Sequence, residues 1–165
     1  MTIQLKTIGV YGFTEESFFA ALKTAEIDTF IDIRQRRGVR GSAYAFANSQ
    51  RLQARLETSG IHYLHIKALA PTPAVRQLQA EADKASKTAK RKRTTLGEAF
   101  VNAYRSQILD PFDPQTLTAE LPPDAKVITL FCVERQPAAC HRSHVAEKLH
   151  QTLGWPVEHL LPKMA

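Results

Sequence analysis

Five short apolar runs, separated from one another by stretches with helical patterning, constrain this chain more than any other feature of its sequence. They fall at residues 5–11, 29–33, 61–66, 126–131 and 157–160. Strands joined through helices pair in parallel, because the crossover brings the chain back to start the next strand in the same direction and lays its helix on a sheet face. Such strands are buried on both faces and read as continuous apolar runs rather than alternating ones. The expected fold is therefore α/β, a three-layer sandwich whose central sheet has about five mostly parallel strands. Residues 1–165 are read as a single α/β domain, with a basic helical insert at 72–93.

The helices have their own signals. Thr14 stands at an N-cap position with Glu15 and Glu16 in the first turn, and Phe18, Ala21, Leu22 and Ala25 recur at spacings of three and four. A second helix over 49–58 carries Leu52 and Leu56 and stops at Gly60. Thr72-Pro73 opens a third, read as continuing toward Lys90. Its stripe of Val75, Leu78, Ala82, Ala85 and Ala89 is thin, which suits an arm that projects from the body. Thr95-Leu96-Gly97-Glu98 has the spacing of a capping box for a helix with Phe100, Tyr104 and Ile108. Asp113-Pro114 starts a short helix, and a last one over 139–153 ends at Gly154.

Composition excludes several classes. With 44% apolar and 23% charged residues the chain has the make-up of a soluble domain large enough to enclose a core. No apolar stretch approaches the roughly 18 residues of a membrane span, so a membrane role is not expected. The first residues lack the pattern of a secretory signal, so the expected location is the cytoplasm. Only Cys132 and Cys140 are present, too few for a disulfide framework, and they are read as thiols.

The formal charge of +6 comes from 22 Lys and Arg against 16 Asp and Glu, and its placement is uneven. Residues 34–55 hold Arg34, Arg36, Arg37, Arg40, Arg51 and Arg55 without an acid. Residues 84–93 hold Lys84, Lys87, Lys90, Arg91, Lys92 and Arg93, again without one. Clustered cations attract polyanions through long-range fields that salt weakens. Lys87, Lys90, Arg91, Lys92 and Arg93 are accordingly the expected nucleic-acid contacts.

In α/β folds ligands gather beyond the C-terminal ends of the strands. That rule selects the loops at 11–14, 34–44 and 132–141. The third is the densest in reactive groups: Cys132, Glu134, Cys140 and His141 are the candidate catalytic residues, and Arg142 is a candidate clamp for phosphate. Backbone N–H groups at 139–141 would add an anion site at the start of the following helix. Alternation puts Asp32 and Arg34 on one side of their strand, where they form either a structural ion pair or part of the substrate site. Arg36, Arg37 and Arg40, loosened by Gly38 and Gly41, suit an anion-binding loop that lacks the Gly-Lys-Ser/Thr ending of a P-loop. Tyr44 and Phe46 suit either stacking on bases or seating this loop on the core. His65, near its strand's end, is a weaker candidate for the cleft, and His62 is read as packed or on the surface. A metal alternative combines Cys140 and His144 with Cys132 or His141, but no metal ligand set is assigned, and cofactor and oligomeric state stay open.

These residues resemble the domain-of-unknown-function-488 family. The likeness runs through Thr7-Ile8-Gly9, the Thr-capped helix with Phe18 and Leu22, Asp32-Ile33-Arg34, Gly60-Ile61-His62-Tyr63 and the Phe100 and Tyr104 helix. It is strongest in Cys132-x-Glu134-x-x-Pro137-x-x-Cys140-His141-Arg142. The resemblance implies a compact α/β domain with a polar site and carries no established activity. Family members usually continue after Asp32-Ile33-Arg34 with a proline and a serine, where this chain has its Arg- and Gly-rich loop.

The leading expectation is an enzyme acting on a phosphate-bearing substrate, nucleic acid or nucleotide. Its chemistry is either nucleophilic attack by Cys132 or Cys140 or general acid–base work by Glu134 and His141. The rival expectations are a noncatalytic nucleic-acid-binding module and a metal-binding scaffold or sensor.

Overall fold

The computed structural model describes residues 2–89 and 93–163. In it the apolar runs become β1 (Gln4–Ile8), β2 (Thr29–Asp32), β3 (His62–His65), β4 (Val127–Phe131) and β5 (Val157–Leu160). They form one sheet in the order β3-β2-β4-β1-β5, and every neighbouring pair is parallel. β4, late in the chain, lies between β2 and β1. Its Phe131 pairs with Asp32 on one side and Ile8 on the other. The backbone segments that follow these three strands therefore leave the sheet side by side, which brings distant parts of the sequence to one rim.

Among the described residues six α-helices accompany the sheet: α1 (Glu15–Thr24), α2 (Ser49–Thr58), α3 (Pro73–Ala85), α4 (Glu98–Tyr104), α5 (Pro114–Glu120) and α6 (Arg142–Leu153). Helices lie on both sides of it, making the expected α/β sandwich. Thr14 caps α1 through a reciprocal pair of bonds with Ser17. The helix then drives Phe18 onto one sheet face, its ring 6.3 Å from Phe30 and 5.7 Å from Phe131. Phe46, from a short 3₁₀ turn at Ser42–Ala47, closes on the same ring at 5.5 Å. α6 runs across β1, β4 and β5. With both faces covered, Leu5, Ile8, Phe30, Ile31, Ile128, Leu130 and Phe131 are fully buried. Burial on that scale is the main stabilising contribution, roughly 1.5–3 kcal/mol for each such side chain. Among the described residues no helix is long and apolar enough to cross a membrane.

The insert differs from expectation. Thr72 caps α3 and Pro73 begins it, as the sequence signals, but the helix ends at Ala85 rather than running on toward Lys90. Lys87 adopts a left-handed backbone (φ 56°), and Thr88 N–H turns back to the Asp83 carbonyl, so the chain reverses there. α3 does not project as an arm. It packs on α4 through buried Gln79, whose amide oxygen accepts from Gly97 N–H at 2.7 Å. That bond takes the place of the expected Thr95–Glu98 capping box, and Gly97 itself is the N-cap, with no side-chain bond. A Cβ at Gly97 would sit 3.2 Å from Ala82 Cβ, so the close approach of α3 and α4 depends on this glycine.

Candidate active site

The rim is built where β1, β2 and β4 end. Gly9 follows β1 and lies so close to the β4 loop that a Cβ there would be 1.8 Å from the Glu134 carbonyl oxygen. Val10 and Tyr11 N–H groups both donate to the Val133 carbonyl, fastening the two loops together. Arg142, expected to clamp a substrate, is fully buried and does not line the cleft. Its guanidinium donates to the carbonyls of Glu134 (2.6 Å) and Arg135 (3.2 Å), so it holds the β4 loop in shape. Two of the three N–H groups of the expected backbone anion site are spent in a similar way. Ala139 and Cys140 N–H groups close the turn at Pro137–Ala139 onto the Gln136 and Pro137 carbonyls.

At the end of β2 the structure forms the ion pair. Asp32 grips Arg34 at Nε (2.9 Å) and Nη2 (2.8 Å) and accepts its backbone N–H at 3.1 Å. Tyr63 Oη donates at 2.7 Å to Asp32 Oδ2, the oxygen that also accepts from Arg34 Nη2. Burial, followed by the Asp32 charge, pushes the Tyr63 hydroxyl up to about 12, which keeps it a donor. Arg34 spends its remaining terminal nitrogen on the Ala47 carbonyl and stacks over the Phe131 ring at 4.7 Å. Asp32 is entirely enclosed and lines no part of the cleft, and Arg34, 3% exposed, only edges it. Both expected substrate contacts are thus committed to one another. His65 joins this network through Nε2 to the Arg34 carbonyl, whereas His62 is exposed.

Three of the four candidate catalytic residues form a tight cluster. Cys132 Sγ and Cys140 Sγ each lie 3.8 Å from His141 Nδ1, and the three ligand atoms are all within 4.8 Å of one another. Neither cysteine is in a disulfide among the described residues. His141 Nε2 lies 3.0 Å from the Ile33 carbonyl, which can only accept, so that nitrogen carries the proton and Nδ1 faces the sulfurs. The Tyr104 ring abuts the imidazole edge-on at 5.3 Å. Burial pushes the Cys140 thiol up, but the Cys132 hydrogen bond and the charges of His141 and Arg142 outweigh it and hold the thiol well below its ordinary value. Burial pushes His141 down, and the Cys140 charge and hydrogen bond, the Ile33 carbonyl and Glu134 together raise it.

Glu134, the fourth, lies beside the cluster with Oε2 3.6 Å from Cys132 Sγ. Its Oε1 meets Arg93 Nη2 at 2.8 Å. Arg93 also pairs with Asp83 at 2.6 Å and donates to the Ala139 carbonyl, tying the end of α3 to the β4 loop. Arg93 was expected on a nucleic-acid-binding arm. It is instead folded into the site, because two carboxylates and a carbonyl converge on its guanidinium. Lys87 is exposed, away from the cleft lining, while the expected contacts Lys90, Arg91 and Lys92 lie outside the described residues.

Above the cluster opens a cleft of about 800 Å³, with Cys132, Glu134, Cys140 and His141 on its floor. Arg36 and Arg40 reach it from the β2 loop, as expected, and both are exposed. Arg37 does not line it and instead lies 3.4 Å from Tyr63 Oη. Tyr44 accepts from Gly12 N–H and packs edge-on against Tyr11 at 5.2 Å, so with buried Phe46 it seats the loop on the core. The opposite wall supplies Arg76 of α3, bonded to Gln35 at 3.1 Å, which the sequence reading did not single out. Its only sequence signal was its position one turn after the Thr72-Pro73 cap. Among the described residues, five arginines and two carboxylates line the cleft, and both carboxylates are held by Arg93.

Fold and site together define a parallel α/β protein with a thiol–imidazole–carboxylate floor beneath an arginine-rich wall. A family model described as domain of unknown function DUF488 matches residues 14–149, and the chain belongs to that family. No match was found among curated proteins or among solved structures.

Proposed function

We propose that this protein is an enzyme acting on a phosphate-bearing substrate, a nucleotide or a nucleic-acid strand. Arg36, Arg40 and Arg76 hold the anionic group on the walls, and the reacting bond lies over Cys132, Glu134, Cys140 and His141. The observation that carries this reading is the convergence of those four reactive groups on the floor of a cleft whose wall cations outnumber its acids. Guanidinium groups suit phosphate because their planar fork pairs with two oxygens at once. A buried carboxylate beside a substrate can move a proton, which contributes roughly 10²–10⁴-fold to a rate. A cytoplasmic setting, part of the same proposal, keeps both thiols reduced.

The test is turnover across a panel of nucleotides, phosphate monoesters and short oligonucleotides. Glu134→Gln is expected to lower kcat by about 10²-fold or more, while the Arg36→Ala/Arg76→Ala double variant chiefly raises KM. Binding of oligonucleotide without turnover of any panel member, unaffected by either variant, contradicts the reading and returns the protein to the class of noncatalytic binders.

A further inference from the structure

We infer that Cys132, Cys140 and His141 bind a zinc-class divalent ion, leaving its fourth coordination position open to the cleft. The donor set is two soft sulfurs and an imidazole nitrogen, the combination that favours zinc over hard, oxygen-seeking ions. Tetrahedral zinc, with bonds of about 2.3 Å to sulfur and 2.0–2.1 Å to nitrogen, places sulfur and nitrogen roughly 3.5 Å apart. Both Sγ–Nδ1 separations here are 3.8 Å, a few tenths of an ångström beyond that value, and all three donor atoms lie within 4.8 Å of one another.

The surroundings agree. Metal-binding histidines are oriented by an acceptor on the far ring nitrogen, and the Ile33 carbonyl occupies that place at 3.0 Å. A divalent ion on two thiolates is neutral, which suits a cluster as buried as this one and leaves Glu134 to Arg93. All three ligands line the cleft, with Glu134 Oε2 beside them 3.6 Å from Cys132 Sγ. Three protein ligands and one open position is the arrangement of catalytic rather than structural zinc. His144, the other sequence candidate, lies outside the cluster. When bound, the ion would polarise a phosphoryl oxygen or a water in the cleft. That catalytic role rests on the function proposed above, whereas the site itself does not.

Metal-free, reduced protein is titrated with Co²⁺ and then Zn²⁺. One Co²⁺ per chain is expected, with thiolate-to-cobalt charge-transfer absorption and tetrahedral ligand-field bands, both abolished by Zn²⁺. Cys132→Ser and Cys140→Ser lose the charge-transfer intensity, and His144→Ala keeps it. Zinc-edge X-ray absorption on the unmodified protein gives a reading independent of how the serine variants fold: two sulfurs at about 2.3 Å and a nitrogen at about 2.0–2.1 Å. Folded protein that binds no Co²⁺, or zinc bound without sulfur, overturns the site. Binding of pyrophosphate to the metal-free protein is measured in parallel. No pyrophosphate binding by a protein that takes up Co²⁺ counts against the proposed substrate class alone, and pyrophosphate binding by a protein that takes up no Co²⁺ counts against the metal alone.

Discussion

The loops after β2 and β4 both place an acid and an arginine at the end of a buried strand, yet they end in opposite chemical states. After β2, Asp32 and Arg34 satisfy each other bidentately, with Tyr63 and the Ala47 carbonyl taking the positions left over. After β4, Arg142 donates to backbone carbonyls, Glu134 turns to Arg93 from another part of the chain, and the two sulfurs and His141 Nδ1 face one another. A buried charge whose partner lies two residues away becomes structure. Where partners come from elsewhere in the chain, as Arg93 does for Glu134, the reactive groups come to line the cleft. The basic composition divides along the same line, with Arg34, Arg93 and Arg142 locked into the framework and Arg36, Arg40 and Arg76 on the cleft wall.

This contrast can be broken most forcefully at Asp32. Asp32→Ala leaves the Arg34 guanidinium buried without its counter-charge, and the expected loss is about 3–5 kcal/mol of stability in urea unfolding. A loss under 1 kcal/mol would mean that the pair is not closed and that Arg34 is free to serve a ligand. The smallest effect sharpens the same comparison two residues further on. Arg36→Ala is expected to change stability by no more than about 0.5 kcal/mol, since its side chain is exposed. A larger destabilisation would show that the wall arginines are framework as well.

Most elements were legible because their signals are local. The caps at Thr14, Thr72-Pro73 and Asp113-Pro114 and the stop at Gly154 all act as read. Strand order was not legible, since the insertion of β4 between β2 and β1 is a long-range pairing that no periodicity encodes. The β4 loop was visible as a cluster of reactive residue types. The roles of its neighbours were not, because Arg34, Arg93 and Arg142 look identical in sequence until burial and partners separate them. Thr95 and Glu98 have the right spacing for a capping box, but the helix begins only at Glu98, with Gly97 as its N-cap and the Gly97 N–H donated to Gln79. The end of α3 was misplaced for a related reason. Alanines at 85 and 89 continue the helical stripe, while the left-handed turn at Lys87 is set by the return of Thr88 to Asp83.

Backbone amide NMR of the full chain, titrated with pyrophosphate, tests most directly whether the cleft is where an anion meets the reactive groups. Shifts should concentrate at Arg36, Arg40, Arg76 and residues 132–141, and weaken together as salt rises. Perturbations confined to the basic run around Lys84 and Lys87, with the β4 loop unmoved, would contradict the account.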